Sequence, residues 1–289
     1  MFFCLLSCKS NYTKIGDKNA NYIPYYLKVN EADSLFLVGN YQKSHKILDS
    51  LFKKYEPANS DYFFEYGTFL MSCVKTGDTI GIKNKIKYAF RKYGGMYTSI
   101  DPIDAHLFLR DIYQKDSIIF LKLKNRYLKK IDMGVIKKIQ DMSKLDQDNR
   151  CLNTLENNNR INSIDSINGE KLKDIIRFDF YPNYYEIGYF EPGLNENAEI
   201  LTLLLHQDRA TVFKYLPIIE DAVKKGKCSP FEYALIYDKC MWVYGEENER
   251  EKFNSFEADR KQEIESIVKK NRKEIGLPSL EFVKWKSKL

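Results

Sequence analysis

The sequence predicts an all-α protein: stacked helical hairpins followed by a helical domain. Three observations carry this. Apolar residues recur at helical spacing along most of the chain. Pro and Gly are scarce, 8 and 14 of 289 residues, which argues against a turn-rich β-sandwich and against disorder. The turn residues Asn40, Asp78 and Asp116 follow one another at a constant spacing of 38.

Taken in order, Pro24 marks a helix start, and Leu27, Ala32, Leu35 and Phe36 follow at helical spacing. Gly39-Asn40-Tyr41 breaks that helix. A second runs through Ser44, Ile47, Leu48, Leu51 and Phe52 and ends near Pro57. The pattern recurs with Phe63, Tyr66, Leu70, Cys73 and Val74, a turn at Gly77-Asp78, then Ile82, Ile86, Ala89 and Phe90. A third pair holds Ala105, Phe108, Leu109 and Ile112, a turn at Lys115-Asp116, then Ile119, Phe120, Leu123 and Tyr127. Four sets superpose at the shift of 38: Ala32, Leu70, Phe108; Phe36, Val74, Ile112; Ser44, Ile82, Phe120; Leu51, Ala89, Tyr127. One hairpin cannot bury its apolar face alone, so such units must stack. The hairpins are expected over 22–132 and the helical domain over 133–289.

The stretch Ala32 to Ser44 resembles a tetratricopeptide repeat across the turn between its helices. The period is longer than the usual ~34 residues, and Lys115 stands where that repeat carries Gly. The resemblance implies a concave surface that holds a protein or peptide.

In the second half, helices are expected over Asp141–Asn153, Ile161–Arg177, Asn195–His206, Val212–Lys225, Tyr233–Tyr244 and Phe256–Ile275, the last ended by Gly276 and Pro278. Asn157-Asn158-Asn159 reads as a loop or frayed turn. Between the second and third of these helices lies an aromatic segment with Phe178, Phe180, Tyr181, Tyr184, Tyr185, Tyr189 and Phe190, interrupted by Pro182, Gly188, Pro192 and Gly193. It reads as a loop anchored on the core, with a stacking platform for a sugar as the other reading.

Leu145-Asp146-Gln147 with Arg150, Asp165 with Asn168 and Leu172, Pro182, Gly188, His206, Gly226, Tyr237-Asp238, Tyr244-Gly245 and the closing Arg272 to Leu280 resemble an uncharacterised all-helical bacterial domain family over about 140–285. That family has no assigned activity, so the likeness implies architecture and candidate positions only. Lys239 stands where the family has Arg, and Gln residues expected around Tyr244-Gly245 are missing.

The candidate polar set is Asp146, Gln147, Arg150, Asp165, His206, Asp238 and Tyr244. It contains a possible base, an orienting carboxylate and a cation. Asp146 and Arg150 are four apart and can pair along one helix face. His206 with Asp208 is a possible proton relay. The set reads first as a structural network, then as a ligand pocket, and only then as catalytic. His45, His106 and His206 have no metal-ligand spacing, and no G-x-S-x-G or phosphate-cradling glycine loop is present. No cofactor or metal is expected. Cys73, Cys151, Cys228 and Cys240 include no C-x-x-C, and Cys228 and Cys240 bracket a helix too long for a disulfide. Buried free thiols are expected.

The opening Met1 to Cys8 resembles the end of a bacterial lipoprotein signal: Leu5-Leu6-Ser7-Cys8 has the large aliphatic, the small residue and the cysteine of a lipobox. This implies a lipid on Cys8, a polar tether over 9–21, and an address in the bacterial cell envelope. No later apolar run approaches the ~20 residues a membrane span needs. A net charge of +6 from 46 basic and 40 acidic residues is mild and dispersed, unlike a nucleic-acid groove. The richest basic stretch, Lys122 to Lys138, reads as a solvated face, or as a patch for anionic lipid. The expected function is an envelope lipoprotein, a binding scaffold in preference to an enzyme, that holds a protein or peptide partner. A small hydrolase or glycan-binding protein using the polar set is the alternative.

Overall fold

Fourteen helices lie among the described residues of the computed structural model, which are 12–59, 64–150, 155–177, 180–188, 200–245, 252–256 and 262–289. Among these residues no strand forms; two isolated bridges, Thr13–Tyr55 and Arg177–Phe180, are all the β pairing. The all-α expectation holds. No described helix is long and apolar enough to cross a membrane.

The first six helices are α1 (Ile23–Leu37), α2 (Tyr41–Phe52), α3 (Glu65–Thr76), α4 (Ile82–Tyr93), α5 (Ile103–Lys115) and α6 (Ser117–Leu128). Local chemistry sets several of their ends. Pro24 sits in the first turn of α1, where its missing N–H costs nothing. Asn40 caps α2 by accepting from Lys43 N at 3.4 Å. Gly77 closes α3 in the left-handed conformation, φ 77°. α1 packs along α2, and α2 along α3.

Of the four sets read at the 38-residue shift, two are buried throughout and two are not. Ser44, Ile82 and Phe120 are all buried, as are Leu51, Ala89 and Tyr127. An ion pair also recurs: His45 meets Asp78 at 3.1 Å, and Lys83 meets Asp116 at 2.7 Å, each residue of the second pair lying 38 positions after its counterpart. The third hairpin then departs. Ala32 and Leu70 are buried, but Phe108 is 41% exposed. α4 packs chiefly along α6, and α3 reaches α5 directly.

The second half comprises α7 (Met133–Arg150), α8 (Leu155–Leu172), α9 (Tyr184–Ile187), α10 (Ile200–Leu205), α11 (Arg209–Lys224), α12 (Pro230–Tyr244), α13 (Gln262–Glu274) and α14 (Leu280–Lys286). α7 starts eight residues before the sequence suggests. Asp132 Oδ1 accepts from Gly134 N at 2.9 Å and Val135 N at 3.0 Å, and buried Ile136 and Ile139 hold that first part down. The three asparagines at 157–159 fall inside α8, where propensity is a weak prior that context overrides. The aromatic segment contains the short α9, closed by a capping box between Asn183 and Glu186. α14 was not expected; Ser279 caps it by accepting from Phe282 N at 3.2 Å.

Two apolar clusters form the core. One lies within the hairpins and includes Leu48, Leu70, Ile86, Leu109 and Phe120. The larger joins both halves, uniting Tyr22, Tyr25, Tyr26 and Val29 of the N-terminal region with Ile139, Leu203, Tyr215, Ile219 and Ile236. α1 therefore serves both: its first half faces the joint core and its second half, with Ala32 and Phe36, the hairpin core. The segment read as a tether is, from residue 12 on, hydrogen-bonded to both sides. Thr13 N donates to Lys54 O at 2.8 Å and Gly16 N to Lys225 O at 2.9 Å. The described cysteines Cys73, Cys228 and Cys240 are buried free thiols, as expected. Cys8 and Cys151 lie outside the described residues.

Candidate functional site

Three segments bring five of the seven polar candidates together, Gln147 among them. Asp146 and Arg150 stand one turn apart on α7, Asp165 lies in the middle of α8, and His206 sits in the turn after α10. α7 packs against both α8 and α10, which closes the group. The Asp146 side chain is 1% exposed. Its two carboxylate oxygens lie 3.0 Å from His206 Nδ1. Arg150 Nε donates to Asp146 Oδ1 at 3.0 Å, and its guanidinium also binds Asp165 Oδ1. Gln147 Nε2 donates to Asp146 Oδ2 at 2.6 Å.

The electrostatics separate the two carboxyls. Burial pushes the Asp146 pKa up, but hydrogen bonds and charges from His206 and Arg150 outweigh it and hold the group at about 2. Asp165 is raised, because burial outweighs its bond to Arg150. Asp146 is therefore a fixed anion near neutral pH and an orienting partner for His206, the role a buried carboxylate plays beside a catalytic histidine. Among the described residues the hydrogen bonds of His206 go to Asp146, through Nδ1.

Asp146, Asp165 and His206 also offer three ligand atoms within 4.8 Å of one another. Arg150 already supplies the positive charge between the carboxylates. A divalent cation there would have to displace or repel the guanidinium, since two cations do not share a site of this size.

The remaining candidates are used elsewhere. Asp238, fully buried on α12, accepts from Phe253 N at 3.1 Å and Ser255 N at 2.8 Å and so fixes the 252–256 segment. Tyr244 is 45% exposed at the end of α12, where its carbonyl accepts from Arg209. Asp208 is not turned to His206; it caps α11, accepting from Thr211 N at 3.0 Å. In the aromatic segment, Tyr181 is buried and Tyr185 donates to Pro57 O at 2.7 Å, so both anchor the segment to the body. Tyr189 lies outside the described residues.

A second cluster escaped the sequence reading. His45 of α2, Cys73 of α3 and Asp78 of the following turn bring ligand-capable atoms within 4.8 Å. Lys85 fills the cluster, at 3.2 Å from Asp78 Oδ2 and 3.6 Å from Cys73 Sγ. Burial pushes the Cys73 thiol up to about 11, so with no metal beside it the thiol is protonated near neutral pH. Spacing alone does not find it: His45, Cys73 and Asp78 meet through the packing of α2 on α3.

No family model, curated protein or solved structure matches this chain.

Proposed function

We propose that this chain is a non-enzymatic binding protein of the bacterial envelope, held on a membrane by a lipid on Cys8, which presents its third hairpin to a protein partner. One observation carries the reading. On the last hairpin of the stack, Ile103 is 56% exposed, Leu107 41%, Ile118 69% and Leu121 48%. The end unit of a helical stack normally turns a polar face outward. An end unit with these aliphatics and Ile119, 41% exposed, turned outward calls for cover. Lys122, Arg126, Lys129 and Lys130 are exposed on or just after the same α6. The partner's contact is then apolar with an acidic rim.

The ion pairs around Asp146 support the same reading, because its carboxylate is already engaged by His206, Arg150 and Gln147. The rival, a hydrolase or glycan-handling protein, draws on the Asp146–His206 pair. Crosslinking in intact cells separates them, using wild type, an I103E/I118E double variant and H206A. A partner captured by wild type and H206A but lost with the double variant supports the scaffold. Capture unaffected by the double variant, or saccharide fragments lost with H206A, overturns it. Cys8→Ala should move the protein to the soluble fraction; a variant that stays on the membrane removes the anchor from the proposal.

A further inference from the structure

A cavity of about 320 Å³ opens where the two halves meet, at the small end of the range for ligand pockets. α1 supplies Tyr25, Tyr26 and Val29, the start of α3 supplies Glu65, and the start of α12 supplies Pro230 and Phe231. Leu277, Pro278, Phe282 and Val283 close it from the turn before α14 and from α14 itself. The walls are predominantly apolar, and Phe231 among them is 36% exposed.

Two residues that line it each carry a buried polar atom with no hydrogen-bond partner, Glu65 Oε2 and Ser255 Oγ. Glu65 is only 3% exposed. Its other oxygen is fully used, accepting from Tyr25 Oη at 2.7 Å and from Asn59 N. Tyr25 Oη in turn accepts from Ala58 N at 2.9 Å, so the carboxyl is locked in place. An unsatisfied buried carboxyl oxygen costs about 1–3 kcal/mol or more. A folded protein that leaves one beside an apolar cavity has a place for a ligand's polar end.

We propose that this cavity binds a small, largely apolar molecule with one hydrogen-bond donor at its end, an amine in preference to an alcohol, with Glu65 taking the donor and the tyrosine, valine and α14 side chains taking the apolar part. Burial pushes the Glu65 carboxyl up to about 8. An ammonium group entering near neutral pH therefore meets a protonated acid. The Glu65 O–H bond breaks, the proton passes to the buffer, and the carboxylate left behind pairs with the ammonium. Binding of an amine thus releases up to one proton, whereas an alcohol releases none.

The test is calorimetric titration of the full chain with n-octylamine, n-octanol and octanoate, in two buffers of different ionisation enthalpy near pH 7. The expected result is octylamine binding at least about tenfold tighter than octanoate, with a buffer-dependent heat, a tenfold ratio being about 1.4 kcal/mol. E65Q should erase that preference while leaving octanol within about threefold. Octanoate binding as tightly as octylamine, an unchanged preference in E65Q, or saturable binding by none of the three overturns the proposal. V283W, at the rim on α14, serves if E65Q does not fold. Loss of octylamine binding in V283W supports the site and retained binding overturns it.

Discussion

At the scale of single residues, burial decides most of what can be tested. Glu65 has its carboxyl raised from 4.5 to about 8. Across that window the folded protein keeps a proton that the unfolded chain has released, so its contribution lowers stability as pH rises from the lower value to the upper. E65Q stays neutral throughout. Its Tm relative to wild type should therefore improve between about pH 5 and about pH 8; a difference that is flat with pH would count against the shifted carboxyl. Asp146 has the opposite sign. With its pKa held at about 2, its contribution is present above the ordinary carboxylate range and is lost as pH falls through about 2. Asp146→Asn takes the anion from His206 and leaves Arg150 with Asp165 alone, and should cost about 1–3 kcal/mol in denaturant unfolding near neutral pH. Gly67 is a steric case. A Cβ there would lie 1.7 Å from the Tyr97 carbonyl oxygen, which is backbone and cannot swing aside. Alanine would gain about 1 kcal/mol of helix propensity, but the clash should outweigh it by about 3 kcal/mol or prevent folding. A G67A protein as stable as wild type would mean the two segments are not so close.

At the scale of elements, the sequence was most readable where a helix end is set by its own neighbours. Pro24, Asn40 and Gly77 mark ends that the structure keeps, because a missing N–H, a capping amide and a positive φ are local properties. The start of α7 was not readable. Gly134 looks like a breaker, and what overrides it is the Asp132 cap together with burial of Ile136 and Ile139. α14 is only seven residues long and follows a glycine and a proline that read as a full stop. Its Ser279 cap was the signal that could have found it. The polar site divides the same way. Asp146 and Arg150 share a helix face, which spacing alone gives, whereas the arrival of His206 from 60 residues away depends on how α7 and α10 pack. Asp238 stood in the same candidate set but holds a loop instead, and nothing in its neighbours distinguishes the two uses. Glu65 reads from sequence as an ordinary first-turn acid favoured by the helix dipole; its burial comes from α1 and the 58–59 backbone, which sequence periodicity does not place.

At the scale of the whole molecule, the hairpins and the helical domain share a core, so neither half is expected to be stable alone. Tyr22, Tyr25, Tyr26 and Val29 of the N-terminal half are buried in one cluster with residues of the C-terminal half. The Tyr26 hydroxyl lies 3.1 Å from the carbonyls of both Val223 and Cys228, nearly 200 residues away in the chain. Gly226 and Gly276 complete this joint. Both have positive φ, and a Cβ on either would meet the ring of Tyr22 or Tyr26 at 2.9–3.0 Å. Cutting the chain at residue 132 would expose those tyrosines to water. Fully exposing one large apolar side chain costs about 1.5–3 kcal/mol, and four such residues approach the 5–15 kcal/mol total stability of a typical domain. Residues 22–132 expressed alone should therefore show helical circular dichroism with a broad, weakly cooperative melt, and adding residues 133–289 in trans should sharpen it. A sharp, independent transition for 22–132 would show that the joint core is a contact between two finished domains. Tyr26→Phe in the full chain probes the same joint more gently, removing one buried donor at about 1 kcal/mol while leaving the apolar packing in place. If the halves fold as one unit, that loss should lower a single transition; if they fold apart, it should split the melt and leave the hairpins' own transition where it was.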